Sequence, residues 1–246
     1  MSRTLLVIPH YNDTERLKPF LRELISILPS RFSILVSDDG SETVERDKLS
    51  KLIANVKSGR GENSPELMEP LFTTKNTGKG GAVYRGWDAC SEFSFISFVD
   101  ADGAICASEI LRMESYFRSD ECRADAIFGS RIRMLGRSVT RSLLRHLTGR
   151  VFATIVSEVG NIPVYDTQCG FKIMSQEAFK KIQPYLKTFG FAFDVELTIL
   201  LLETGSKVIE YPIDWCDVGG TKVSLFRHPI RMLLEVNEIR SRLLKK

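Results

Sequence analysis

Three apolar runs of this chain end in the same way. "TLLVIPHYND" (4–13), "FSILVSDDGS" (32–41) and "FISFVDADG" (95–103) each pass from apolar residues directly into an acid-bearing turn. Short runs rich in Val, Ile, Leu and Phe, bounded by Asp, Asn and Gly, read as buried strands. Between the first two, "ERLKPFLRELISIL" (15–28) sets Leu17, Leu21, Leu24 and Leu28 at helical spacing, and "TVERDKLSKLIANV" (43–56) reads as a charged helix after the second. Alternating strands and helices predict an α/β fold with a mostly parallel central sheet flanked by helices. Ligands of such sheets bind outside the carboxyl ends of the strands, so the three acidic turns are expected to share one crevice.

The rest of the chain extends this vocabulary. Pro19 is expected in the first turn of its helix, where a missing N–H costs little. Residues 57–70 read as a polar loop and 71–74 as a weak strand, followed by a helix over 80–93 opened by glycines. A helix over 108–118 has Ser108 as its expected N-cap, and "ADAIFGSR" (124–131) is the next strand. Residues 131–161 read as one long helix, or two broken near Gly149. A strand at 171–175, helices at 177–186 and 194–205, a strand at 207–213 and a basic terminal helix at 226–244 complete the pattern. With no repeat and no Pro-, Gly- or Ser-rich linker, a single domain over 1–246 is expected.

Charge and cysteine usage remove several function classes. The 34 Lys and Arg against 31 Asp and Glu leave only +3, so nothing global favours a nucleic-acid partner. Cys90, Cys106, Cys122, Cys169 and Cys216 are scattered, with no CxxC pair and no histidine at zinc-like spacing, which fits a reducing compartment. No window approaches the roughly 20 uncharged apolar residues of a spanning helix. A cytoplasmic location is the expectation.

The acids admit two chemistries. Asp100 and Asp102, two residues apart, can point to one side and share a divalent ion, or simply form a polar strand-to-helix turn. Tyr11 can support a planar base and Asp39 can accept from its N–H, while Asp13 can instead cap the following helix. "NTGKGGAVYRG" (76–86) offers backbone N–H groups and Lys79 to a phosphate, yet it has neither the P-loop nor the dinucleotide glycine order. Asp194 and Glu196 open an apolar helix, where acids favour the amino end.

Taken together, "VIPHYND", "VSDDGS", "GKGGAVYRG", "FVDADG", "FGSR", "DTQCGFK" and "FAFDVEL" resemble, in order and approximate separation, an inverting family 2 glycosyltransferase of the polyprenyl-phosphate branch. The resemblance runs from residue 5 to about residue 222. It implies the nucleotide-diphospho-sugar transferase fold of the GT-A type, with Mg²⁺ or Mn²⁺ held by the Asp-x-Asp acids Asp102 and Asp100. It also implies Pro9, Tyr11, Asp13, Asp39, Lys79 and Asp100 around the nucleotide sugar, although Asp13 stands where the motif more often has Glu. Arg131 matches a position near the transferred sugar or acceptor phosphate. Asp166, Gln168, Cys169, Gly170, Phe171 and Lys172 match a segment that lines the acceptor side, and Asp194 a position near the acceptor. "IDWCDVGGTK", with Trp215, Gly220 and Lys222, resembles the glucosyl-lipid branch more than the mannosyl one, with Thr221 in place of the usual serine. The catalytic set implied is Asp102, Arg131 and Asp194, and the acceptor set Arg131, Gln168, Lys172 and Lys222.

The reaction implied is transfer of a hexose from a nucleotide sugar, UDP-glucose ahead of GDP-mannose, to a polyprenyl phosphate. A glycan or small hydroxyl acceptor, or a non-catalytic nucleotide-sugar-binding protein, are the alternatives. A lipid acceptor implies peripheral contact with the cytoplasmic face of a membrane. Residues 131–150 hold six arginines and no acid, with Arg133, Arg137, Arg141 and Arg145 every four residues, and residues 222–246 hold seven Lys and Arg against two acids. These basic helical segments, about 131–160 and 225–246, are the expected acceptor and membrane face.

Overall fold

The computed structural model describes residues 2–132, 134–140, 163–218 and 227–243. Strands β1 (Thr4–His10), β2 (Phe32–Asp38), β3 (Glu66–Leu67), β4 (Phe95–Val99), β5 (Ala126–Ser130), β7 (Phe171–Ser175) and β8 (Val208–Pro212) form one sheet in the order β3-β2-β1-β4-β7-β5-β8. Every pairing in it is parallel except those of β7, which runs antiparallel to both β4 and β5. A separate parallel pair joins β6 (Val139–Thr140) to β9 (Trp215–Cys216).

Alternation along the strands separates two cores. Leu5 and Val7 of β1 pack with Trp87, Phe98 and Phe193, whereas Leu6 and Ile8 pack with Leu17, Leu21, Leu49 and Ile53. The second face carries α1 (Thr14–Ile27), α2 (Thr43–Ser58) and α4 (Ala107–Phe117). The first carries α3 (Lys79–Asp88), α5 (Gln176–Ile182), α6 (Phe193–Glu203) and α7 (Arg227–Leu243), whose Val236 and Ile239 are buried in it. The product is the three-layer α/β architecture that the strand and helix alternation predicts.

Four local expectations are corrected. The third strand lies at 66–67, inside the segment read as loop, while 71–74 contributes only an isolated bridge between Leu71 and Ser37. Helix α1 starts at Thr14, so Pro19 sits in its second turn. Ser108 lies inside α4, whose N-cap is Cys106, because the N–H of Ala107 donates to Glu23 of α1 at 2.8 Å. The described residues 131, 132 and 134–140, read as the start of a long helix, are not helical. Gly136 turns the chain at φ +81, and Ser138 binds Asp214 through its N–H at 2.6 Å, which feeds β6 onto β9. Of the arginine stripe, Arg137 faces Glu109 at 3.9 Å, and Arg133, Arg141 and Arg145 lie outside the described residues.

Candidate active site at the carboxyl edge of the sheet

Parallel pairing of β1 with β2 and β4 brings three strand ends to one edge. His10 stands opposite Asp38 in the register, and Pro9 opposite Ser37. The turns beyond these strands carry Tyr11 to Asp13, Asp39 and Asp100 to Asp102, so the three acidic turns do meet.

The first two turns are bound to each other by a polar network that sequence reasoning missed. Buried His10 holds Asp38 through Nδ1 at 2.9 Å and meets the Thr14 hydroxyl through Nε2 at 3.3 Å. Asp38 accepts from the N–H and hydroxyl of Ser41, whose hydroxyl oxygen accepts the N–H of Asn12 at 2.8 Å. Asn12 takes a positive φ of 49 and accepts from the N–H of Glu42 at 2.8 Å. Tyr11 projects from this frame half-exposed, and half-buried Asp13 occupies the N-cap position of α1 without a side-chain capping bond.

Asp39 organises the next segment. Its buried carboxylate accepts from the N–H of Thr77 at 3.0 Å, the Thr77 hydroxyl at 2.9 Å, the N–H of Gly78 at 2.7 Å and Arg85 at 2.9 Å. Those bonds set the turn that opens α3. Gly78 is required there, since its φ is +103 and an added Cβ would stand 2.5 Å from the Phe189 carbonyl oxygen.

Lys79, the first residue of α3, reaches Asp100 at 2.6 Å. Asp100 also donates its N–H to the Gly170 carbonyl at 2.9 Å, and a Cβ on Gly170 would lie 2.3 Å from the Asp100 carboxylate. Burial works against the Lys79 charge, but Asp100 and Asp194 outweigh it and raise the ammonium above its ordinary range. Asp102 accepts the N–H of Ala104 at 3.0 Å and has Arg16 at 3.6 Å. Burial and the neighbouring Asp100 charge lift its carboxyl above the usual range.

Deeper in, Lys172 is fully buried and donates to Asp194 at 2.6 Å and to the Cys169 carbonyl at 2.9 Å. The ammoniums of Lys79 and Lys172 both lie against Phe98, at 5.2 and 5.3 Å from its ring centre. Burial raises the Asp194 carboxyl, with Lys172 and Lys79 opposing the shift. Lys172, expected on the acceptor side, is thus paired with Asp194. Glu196, read as a helix-end acid, does lie in the first turn of α6, and there it accepts the N–H groups of Lys187 at 2.9 Å and Thr188 at 2.7 Å and pairs with Arg242 of α7.

Arg131 grips Asp166 with both ends of its fork, at 2.7 and 2.8 Å, and lies over the Trp215 ring at 5.7 Å. Glu210, unnoticed in the sequence, orders this segment by accepting from the N–H groups of Tyr165 and Asp166, each at 2.8 Å, and the Ser130 hydroxyl at 3.0 Å. Gln168 is half-buried in the turn that follows. Gly220 and Lys222 lie outside the described residues.

The donor set suits a hard divalent cation. Asp100 and Asp102 offer carboxylate oxygens at the mouth of the edge, with about a third of each side chain exposed, and Asp102 carries a destabilised charge that a cation would relieve. Among the described residues no group of three or more His, Cys, Asp or Glu can hold a metal, so further ligands would come from phosphate oxygens and water.

The layered α/β sheet is that of the GT-A fold of sugar transferases. Residues 5–183 match Glycosyl transferase family 2, and the chain belongs to that family. It is thus a sugar transferase that draws on a nucleotide-sugar donor. It is 32% identical to the dolichyl-phosphate beta-glucosyltransferase of Saccharomyces cerevisiae over 96% of this chain and 73% of that one. It is 30% identical to the Dictyostelium discoideum enzyme of the same name, over 97% and 74%. A likeness of fold extends to the glucosyl-3-phosphoglycerate synthase of Mycobacterium tuberculosis solved with Mn²⁺, UDP and glucosyl-3-phosphoglycerate. That structure has a TM-score of 0.62 at 14% identity, covering 96% of this chain and 80% of that one. Among the described residues no helix is long and apolar enough to cross a membrane.

Proposed function

We propose that this chain transfers glucose from UDP-glucose to a polyprenyl phosphate of the dolichyl type, with inversion at the anomeric carbon and with Mg²⁺ or Mn²⁺ at Asp102 and Asp100. The observation that carries the substrate reading is similarity to dolichyl-phosphate beta-glucosyltransferases along 96–97% of the chain, donor and acceptor segments alike. GDP-mannose is the competing donor.

In this reading Tyr11 offers its exposed ring to the uracil, with Pro9, Asp13 and Asp39 framing the nucleoside and Lys79 meeting the diphosphate. A divalent cation at Asp102 and Asp100 would offset the charge that builds on the departing UDP. The acceptor phosphate is already anionic, so one of its oxygens attacks the anomeric carbon without a strong general base. The bond from that carbon to UDP breaks as the bond to the phosphate oxygen forms on the opposite face. Arg131, held in orientation by Asp166, draws the acceptor phosphate in, and Gln168 and Lys222 complete the proposed acceptor set. Asp194, oriented by Lys172, fixes the acceptor end of the crevice. The acceptor's lipid chain places the enzyme at the cytoplasmic face of a membrane.

Incubation with labelled UDP-glucose, Mn²⁺ and a short polyprenyl phosphate tests the reading. Product is expected on the phosphate and not on the free polyprenol. Asp102→Ala is expected to remain folded and lose turnover by a factor of about a hundred or more, the scale on which removal of one stabilising group for transition-state charge is felt. Transfer to polyprenol, or an Asp102→Ala enzyme as active as wild type, would refute it.

A further inference from the structure

Lys79 stands where helix electrostatics disfavours it. The amino end of a helix carries partial positive charge, and α3 opens with a lysine and has no acid in its first turn. What offsets that cost is Asp100, at 2.6 Å, in a recess walled by Phe98 and Phe193, whose ring centres lie 5.2 and 5.7 Å from the ammonium. Arg16 repeats the arrangement more loosely at Asp102: the guanidinium nitrogen that donates to the Val218 carbonyl at 2.8 Å lies 3.6 Å from the carboxylate, and its buried Nε has no hydrogen-bond partner among the described residues. Both acids of the Asp-Ala-Asp segment therefore already face a cation that belongs to the chain.

We infer that Lys79 is the resident counter-ion of Asp100 and competes there with the divalent cation, so that a nucleoside diphosphate opens the metal site by drawing Lys79 onto its own oxygens. The inference rests on the donor-site reading above. A diphosphate is the ligand class that can do this, because it brings anionic oxygens to the amino end of α3 and to Lys79 together. With Lys79 so engaged, the Asp100 carboxylate would be free to hold a divalent cation together with Asp102. Metal and diphosphate then favour each other, and the favour is reciprocal by linkage.

Mn²⁺ binding followed by electron paramagnetic resonance, without any nucleotide, decides the matter. Lys79→Met is expected to bind Mn²⁺ alone roughly 5–150-fold more tightly than wild type, the span typical of coupled sites, while binding UDP alone more weakly. Lys79→Gln, which keeps an amide donor for Asp100 and so protects the fold, is expected to move the same way by a smaller factor. Lys75→Gln removes an equal charge from an exposed position on the preceding loop and is expected to leave Mn²⁺ affinity unchanged. Equal Mn²⁺ affinity in wild type and the folded Lys79 variants would overturn the inference while leaving the donor site standing. A gain in Lys75→Gln as large as in Lys79→Gln would reduce the effect to net charge and overturn it as well. Absence of both Mn²⁺ and UDP binding in every form would bring down the donor site itself.

Discussion

A buried ion pair costs desolvation to form and more to break, which makes Lys172 the residue whose loss is felt first. It is fully buried with its ammonium on Asp194, so Lys172→Met strands a buried carboxylate. The expected loss is about 3–5 kcal/mol in urea unfolding, with Asp194→Leu added to Lys172→Met recovering most of that stability but no transferase activity. Acids at this edge also set a pH dependence. The folded-state carboxyls of Asp194 and Asp102 are raised, so their contribution to stability is greatest below the ordinary carboxylate range and is lost as pH rises through the raised values. The sequence made Asp100, Asp102 and Asp194 legible, because each follows an apolar run or opens an apolar helix. It did not disclose their partners. Lys172 lies 22 positions from Asp194, and only the sheet pairing of β7 with β4 brings Lys172 opposite Phe98.

Helix ends show why local rules fell short at the level of elements. The N–H of Thr14 at the start of α1 is taken by Glu45 of α2 at 3.2 Å, and that of Ala107 at the start of α4 by Glu23 of α1. In each case a carboxylate from another element does the work that a neighbouring Ser or Asp does in a local cap. Ser108 and Pro19 were misplaced for that reason, whereas the helices themselves were legible from Leu17, Leu21 and Leu24, whose spacing does not depend on the cap. Glu45 provides a test with a defined sign. Lys48 and Thr14 hold its carboxyl at about 2 against a usual 4.5, so its contribution is present above pH 4.5 and is lost as pH falls toward 2. Glu45→Gln is expected to cost about 1 kcal/mol at neutral pH, the scale of a lost helix cap. The gap to wild type should close between pH 4.5 and 2 in denaturation curves recorded across that window; a gap that stays constant would separate Glu45 from the junction of α1 and α2.

At the scale of the molecule, the sheet divides the labour. The meeting of β1, β2 and β4 at one edge was legible as three apolar runs ending in acids, and their parallel register sets the turns of Asp39 and Asp100 side by side. The other half of the sheet depends on an antiparallel strand, β7, inserted between β4 and β5, and on a terminal helix that buries Val236 and Ile239 while leaving Leu234 in solvent. Neither is written in local pattern, since a run such as "FKIMS" has no direction until its neighbours are known. Because Asp102 on one side and Arg131 on the other hang from the same continuous sheet, ligand binding at the donor end is expected to stabilise the whole unit. A ligand present at about 100 times its dissociation constant adds about 2.7 kcal/mol, and for a chain near this size each kcal/mol moves the melting temperature by roughly 2–4 °C. UDP with Mn²⁺ is therefore expected to raise the melting temperature by about 5–11 °C in a calorimetric scan. Asp102→Ala should lose most of that shift, and GDP with Mn²⁺ at equal concentration should give a smaller one. A larger shift with GDP would move the donor from UDP-glucose to GDP-mannose and leave the fold, the acids and the family untouched. Equal shifts in wild type and Asp102→Ala would instead mean that the nucleotide is held without this acid, and the metal would have to be sought away from the end of β4.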